Sequence, residues 1–441
     1  MSIGRNIIGQ VGTQMAGMVS GFVISIITSR LLGTYGRGEL AEFSASLNFL
    51  HVFLGLGIAY SLLFVISGRK YDPRKTFSSG ILLLIILGIL AFLFFALERF
   101  LGASFFFPDL GFLPNIILIL SFVQLLLNGI INAFLNGNKL FFDQQKATAI
   151  FSLVSALCYL VVFFLPESLQ PDLSGIEAFL VFYILVNSLL TLLLLAFFIR
   201  KVKLPGESGF LSFPQFTFLL KIGFLAWLTN VFQYFATKLE FYFIEDISGK
   251  SELGIYSLAI NISRFALMVP VAISTVLLPY NASENDGELV PRNNAIIRYL
   301  IPFLGIPFLV FLPFYELLFG LFFGPGFSRS GLIFMIIFPG VLALAIMMVL
   351  TSYFGGKGMF FVNAIGAFVS LVLFSILTPF LTNLYGIEGA GIANAISFFG
   401  GFLFVLVIYL RKTGSGMSDL LFIRSDDIKR IKSRLFKSKR K

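Results

Sequence analysis

The chain has 441 residues, of which 58% are hydrophobic and only 12% charged, with 57 phenylalanines and a mean hydropathy of +0.95. That composition cannot furnish the charged surface of a water-soluble globule, so the chain reads as an integral membrane protein. Much of the formal charge of +10 lies in residues 411–441, where eleven Lys/Arg meet only Asp419, Asp426 and Asp427; this marks a tail lying against anionic lipid, at about 1 kcal/mol per basic residue, and excludes a nucleic-acid partner.

Taken in order at about 20 apolar residues per crossing, the expected spans are 6–29, 41–66, 80–97, 114–135, 147–165, 178–199, 217–237, 253–279, 299–322, 332–353, 360–382 and 387–410. The runs are continuously apolar rather than alternating, so they are helices and not barrel strands. The fold class expected is all-α integral membrane, with twelve transmembrane helices. The N-terminal MSIGRNIIGQ opens the first span rather than a cleavable leader, since the apolar run behind it is of full span length. With a cytoplasmic N-terminus, thirteen Lys/Arg outside the tail fall on the inner side against six on the outer side, which places both termini in the cytoplasm.

Two internal matches divide the chain. GRGELAEFSASLN at 36–48 returns 213 positions later as GKSELGIYSLAIN at 249–261, and FLNGNKLFF at 134–142 returns at an offset of 219 as YFGGKGMFF at 353–361. Two matches in one order imply duplicated halves. The polar, Pro/Gly-bearing stretch RKVKLPGESGFLSFP at 200–214 separates the sixth span from the seventh. The domains expected are therefore an N-terminal six-helix lobe (1–199), a cytoplasmic linker (200–216), a C-terminal six-helix lobe (217–411) and a basic tail (412–441), whose residues 418–436 have the spacing of an interfacial helix. Six crossings per half give both halves one orientation, related by an axis along the membrane normal.

Intramembrane polar residues carry the functional signal, because each is expensive in lipid. Gln124, Asn128 and Asn132 recur every fourth residue on the fourth span, Gln10 and Gln14 lead a stripe on the first, and Asn230, Gln233 and Tyr234 lie on the seventh. Arg264 stands three residues after Asn261; the 213-residue offset maps it onto His51, the only histidine, three residues after Asn48. A guanidinium offers paired donors to phosphate, and an imidazole a titratable charge. The competing reading of each is structural: amides bridging helices, and Arg264 paired with a carboxylate such as Glu42 or Glu316. With His51 the only histidine and Cys158 the only cysteine, no disulfide or thiolate–imidazole metal cluster can form; no nucleotide-binding or hydrolytic motif is present, so neither a cofactor nor an enzyme is expected.

The runs NIIGQVGTQ (6–14), SRLLGTYGRGEL (29–40), AFLNGNKLFF (133–142) and SGKSELGIYSLA (248–259) resemble the polysaccharide (O-antigen type) flippase family of the multidrug/oligosaccharidyl-lipid/polysaccharide (MOP) exporter superfamily. The resemblance implies two pseudo-symmetric six-helix lobes in a V, opening alternately to either side, and a polyprenyl-diphosphate-linked oligosaccharide carried outward across a bacterial inner membrane. On that reading Arg264 and His51 contact the diphosphate; Gln10, Gln14, Asn48, Gln124, Asn128, Asn132, Asn230, Gln233, Tyr234 and Asn261 line a polar lumen for the sugar. Membrane lipids, and glycosyltransferases or a glycan polymerase, are the partners implied. The alternatives are a cation-coupled multidrug exporter of the same superfamily and, more distantly, a membrane glycan polymerase or ligase.

Overall fold

A computed structural model describes residues 3–68, 72–102, 107–138, 140–165, 175–202, 213–283 and 286–422. Among them no strand occurs. The helices are α1 (Ile3–Phe53), α2 (Ile58–Gly68), α3 (Pro73–Leu101), α4 (Phe112–Gly137), α5 (Phe141–Phe164), α6 (Ile176–Lys201), α7 (Phe213–Ser248), α8 (Lys250–Phe265), α9 (Met268–Ser283), α10 (Asp286–Phe311), α11 (Tyr315–Phe323), α12 (Ser328–Gly356), α13 (Phe360–Thr413) and α14 (Met417–Leu421). Eight helices among the described residues are long and apolar enough to cross a membrane, or nine if the bent pair α8 and α9 is one span. Dividing α1 and α13 at their kinks, Gly33 (φ 63°) and Gly386 (φ 62°), brings the count among the described residues to ten or eleven, consistent with the twelve expected. Only glycine adopts such left-handed backbone without strain, so the chain turns between adjacent spans without a loop.

Helix ends follow local chemistry. Asp72 caps α3 by accepting the backbone N–H groups of Arg74 (2.8 Å) and Lys75 (3.2 Å), and Pro73 opens the helix, where its missing N–H goes unneeded. Gly102, left-handed at φ 63°, closes the other end by donating to the Arg99 carbonyl. These caps carry α3 to Pro73–Leu101, beyond the apolar stretch 80–97 that hydropathy marks. Its Ile85, Ile89, Phe92 and Leu93 remain exposed, as a lipid-facing side requires.

The duplication is visible in the backbone. At the end of α4, Asn138 donates to the Phe134 carbonyl (3.1 Å) and Leu140 to that of Leu135 (2.9 Å); at the end of α12, Lys357 donates to Tyr353 (3.0 Å) and Met359 to Phe354 (2.8 Å). Every one of those four pairs is related by the 219-residue offset, so the two turns share one hydrogen-bond pattern.

The chain packs as two compact units, Met1–Ser257 with Phe322–Gly326, and Leu258–Leu321 with Phe327–Lys441. This contact boundary falls inside α8 rather than in the polar linker. The reason lies within the first unit, where the start of α8 presses on α1: a Cβ on Gly38 would come within 1.8 Å of the Lys250 carbonyl oxygen, and one on Gly254 within 2.0 Å of that of Thr34. The short return segment joins the same unit, with the Phe322 carbonyl accepting from Arg30 Nε (2.8 Å) and the Phe22 ring meeting Phe322 and Phe323 edge-on. In the second unit α12 packs on α9, α10 and α13. Leu420 of α14 is buried there, and Arg298 donates to the Asp419 carbonyl; the rest of the interfacial helix expected at 418–436 lies outside the described residues.

Candidate functional site

Two expected spans, 41–66 and 253–279, are broken helices. The first stops at Phe53 and resumes at Ile58; the second stops at Phe265 and resumes at Met268, with a bend of 41°. The breaks are repeat mates, because the last regular turn closes on His51 in one (Gly55 N–H to the His51 carbonyl, 3.1 Å) and on Arg264 in the other (Leu267 N–H to the Arg264 carbonyl, 3.0 Å). His51 and Arg264 are therefore not mid-helix residues, as continuous spans had suggested. Each occupies the C-terminal turn of a half-helix, where free carbonyls carry partial negative charge and stabilise a cation. Both are half-buried.

A broken helix in a membrane must re-satisfy its freed carbonyls. At the first break, Trp227 on α7 donates Nε1–H to the Phe53 carbonyl at 2.9 Å. Gly223, one turn earlier on the same helix, admits the Leu56 carbonyl, which a Cβ there would approach to 2.4 Å. The break itself takes Leu56 and Gly57 into the left-handed region, at φ 46° and 64°. The sequence signal was the LGLG at 54–57, and for the second break Pro270, whose ring nitrogen cannot donate back across the gap. Sequence reasoning passed over both breaks, and Trp227 with them.

The α4 stripe faces its neighbouring helices. Gln124 donates to Ser188 Oγ (3.1 Å) and Asn128 to Thr191 Oγ1 (3.2 Å), both on α6, while Asn132 Oδ1 accepts from Gln144 of α5 (3.3 Å). All three amides remain half-buried, and Asn128 Oδ1 has no hydrogen bond. On α1, Asn48 is exposed and its Nδ2 donates to the Ser44 carbonyl at 2.6 Å; Asn261, its mate on α8, is half-buried. The side chains of Gln10, Gln14, Asn230, Gln233 and Tyr234 lie outside the described ones.

At the α1–α8 contact, Glu42 is 8% exposed and its Oε2 stands 3.1 Å from Lys250 Nζ. The carboxyl of Glu245, at the end of α7, is pushed up to about 8, first by burial and then by the charge of nearby Glu42. On α7 and α8, Tyr256 donates its hydroxyl to the buried Glu240 at 2.6 Å. Among the described residues no group of histidine, cysteine and carboxylate side chains could hold a metal ion.

The fold, the paired broken helices and the duplicated turns define a multi-pass membrane protein with the architecture of MOP-superfamily transporters. A lipid II flippase, MurJ in an inward closed conformation, superposes with a TM-score of 0.71 at 16% identity over 95% of this chain and 89% of that one. An inward-facing multidrug resistance MATE family transporter superposes with a TM-score of 0.65 at 14% identity (92% and 98% covered), and a MOP transporter from Pyrococcus furiosus with 0.59 at 14% (93% and 95%). No curated protein sequence matches the chain significantly. The polysaccharide biosynthesis protein family matches residues 3–284, and the chain belongs to that family.

Proposed function

We propose that this chain is a flippase that carries a polyprenyl-diphosphate-linked oligosaccharide from the cytoplasmic to the outer leaflet of a bacterial inner membrane, its halves 1–199 and 217–411 alternating in access. The observation that carries the reading is the pair of repeat-related broken helices, each ending in a basic residue, in a member of a polysaccharide biosynthesis family. Sugar hydroxyls and a diphosphate cannot enter hydrocarbon unaided, since each unpaired polar group costs several kcal/mol and an unpaired charge far more. Arg264 and His51 would hold the diphosphate. Gln124, Asn128 and Asn132 each leave hydrogen-bonding capacity beyond the helix contacts described, and with Asn48, Asn261, Gln10, Gln14, Asn230, Gln233 and Tyr234 they would meet the sugar. The prenyl chain stays in lipid. Outward passage of two negative charges gains about 4 to 5 kcal/mol at 100 mV, inside negative. Both termini and the basic tail, facing anionic lipid, are cytoplasmic on this reading, and glycosyltransferases or a polymerase would supply and consume the cargo.

The test is purified protein in liposomes with a fluorescent lipid-linked oligosaccharide, comparing wild type with Arg264→Ala and Arg264→Lys. Loss of translocation in Arg264→Ala with partial recovery in Arg264→Lys supports the reading. Equal translocation by Arg264→Ala removes that residue from the mechanism. Absence of translocation of any lipid-linked sugar, together with export of amphipathic cations, moves the protein to the drug-exporter reading that the MATE-like fold favours.

A further inference from the structure

We infer that the second unit carries a headgroup site for a zwitterionic aminophospholipid, of the ethanolamine-phosphate class, where the start of α10 meets the end of α13 and the short α14. A cavity of about 260 Å³ lies there, walled by Val290, Asn294 and Arg298 of α10, Thr413 at the end of α13, Ser415, and Asp419 of α14. The three α10 residues are four apart and so share one face of that helix. None of the wall residues is among those proposed to meet the cargo. The volume falls below the roughly 300–1,000 Å³ of drug-sized pockets, so the cavity suits a small headgroup and not an oligosaccharide.

The wall holds one charge of each sign, and a hydrogen-bond network fixes its polar groups in place. Arg298 and Asn294 are each only 5% exposed. Arg298 Nη1 donates to the Asp419 carbonyl, which engages one of the five N–H donors of a guanidinium. Asn294 accepts the Tyr409 hydroxyl at 2.8 Å and donates one N–H to Ser415 Oγ at 3.1 Å; its amide carries a second N–H. Thr413 Oγ1 gives its single hydrogen to the Tyr409 carbonyl (2.8 Å) and stands 3.0 Å from Ser415 Oγ, so the Ser415 hydroxyl keeps a hydrogen of its own to donate. Guanidinium, amide and hydroxyl together are a donor set for phosphate oxygens. Asp419 supplies the opposite chemistry: its Oδ2 accepts the Gly416 N–H at 3.0 Å, and a carboxylate has acceptor sites beyond that one. A lipid with a bare phosphodiester would meet this carboxylate as a like charge, whereas an ethanolamine-phosphate brings an ammonium that donates to it. One positive and one negative wall group match a headgroup of zero net charge.

The surroundings identify the ligand as a lipid rather than a soluble phosphate. Met417, Leu421 and Phe422, which flank Asp419 in the chain, are exposed. On α13 the exposed Leu403 and Val407 fall on one face with Gly414, itself exposed and part of the cavity wall, at spacings of four and seven residues. Large apolar side chains bared at the end of a span belong at the boundary of headgroups and acyl chains, and the exposed Arg411 and Lys412 beside them can reach to the polar side of that boundary. A headgroup seated in the cavity therefore leaves its acyl chains against an apolar surface. On the orientation proposed above this is the inner leaflet, and the bound headgroup would tie the start of the basic tail to the helix bundle.

The test is native mass spectrometry of delipidated protein titrated with dioleoyl phosphatidylethanolamine, phosphatidylglycerol or phosphatidylcholine. One saturable phosphatidylethanolamine adduct is expected at concentrations about tenfold or more below those of the other two, because phosphatidylglycerol lacks the ammonium and that of phosphatidylcholine has no hydrogen to donate. Asp419→Asn, whose amide oxygen can still accept the Gly416 N–H, should reverse the order and put phosphatidylglycerol first. Arg298→Gln should weaken all three lipids by about tenfold or more; a thermal melt shows whether that variant is folded, and Asp419→Asn decides the matter if it is not. Soluble phosphoethanolamine at equal concentration should leave the lipid adduct in place. Equal binding of the three lipids overturns the inference, as does an Asp419→Asn protein with the wild-type order of preference. Displacement of the lipid by phosphoethanolamine also overturns it, since the site would then belong to a soluble ligand. No readout here involves transport, so this inference and the flippase reading can fail independently.

Discussion

Replacing Gly38 by alanine puts one methyl group at the point where α1 and α8 come closest. The added Cβ would stand 1.8 Å from the Lys250 carbonyl oxygen and 2.6 Å from its carbon, whereas ordinary contact begins near 3.4 Å. Both obstructing atoms are backbone, so no rotamer change relieves the clash, and the helices must separate by on the order of 1.5 Å locally. Overpacking of this kind costs about 1–3 kcal/mol, which disfavours the packed α1–α8 contact by about 5- to 150-fold. Spin labels on Thr34→Cys and Ile247→Cys, in a Cys158→Ala background, measure the α1–α7 distance by pulsed electron resonance, and a thermal melt in detergent measures any loss of global stability. Gly305→Ala serves as control: this helical glycine has nothing within 4 Å of an added Cβ, so the change should stabilise α10 by about 0.5–1 kcal/mol. A Gly38→Ala protein with wild-type distances and wild-type melting would refute the reasoning, since it would mean that α1 and α8 are not in contact in the membrane.

Further outcomes are expected elsewhere in the molecule. Trp227→Phe keeps the ring but orphans the Phe53 carbonyl at the first helix break, and should lower stability by about 1–3 kcal/mol in a thermal melt, more than the same change at a lipid-facing aromatic. In the second unit, Gly340→Ala drives a Cβ to 2.6 Å from the Ala395 Cα and should destabilise the α12–α13 contact by about 1–3 kcal/mol, read as a lower melting temperature. Glu388→Gln breaks the exposed ion pair with Arg329 (2.8 Å) and should change stability by no more than about 1 kcal/mol at any salt concentration. Since burial raises the Glu245 carboxyl to about 8, its contribution to stability is full below about pH 4.5 and declines as pH rises toward 8; Glu245→Gln should remove that part of the pH dependence of melting.

The architecture was legible because a membrane imposes a one-dimensional rule. Continuous apolar runs have to be helices, and the runs at 80–97 and 114–135 fall inside α3 and α4. The repeat was legible too, and residues 134–142 and 353–361 do close the same turns. Hydropathy misled where an apolar stretch contains a break: Leu54, Leu56 and Leu267 read as span interior, yet they sit at the gaps between half-helices. Composition cannot reveal those gaps, because Trp227 of a distant helix supplies the hydrogen bond that makes the first one tolerable. The α4 amides were visible as a polar stripe, but periodicity marks a face without naming what it meets, and Ser188, Thr191 and Gln144 are 64, 63 and 12 residues away from their partners. Glu42 read as a candidate partner of Arg264 and Lys250 as an outer-side charge, until the α1–α8 contact paired the two with each other.

Fold class, the order of the apolar runs and the duplication all follow from the amino-acid sequence by itself, since hydrocarbon solubility and self-similarity are properties of the chain residue by residue. Tertiary structure alone decided which polar groups bridge helices, where two helices break beside a basic residue, and that the close approach at Gly38 and Gly254 brings Glu42 and Lys250 together. The physical reason is that a hydrogen bond, an ion pair or a backbone contact belongs to a pair of groups, and the chain becomes a set of pairs only once it has folded.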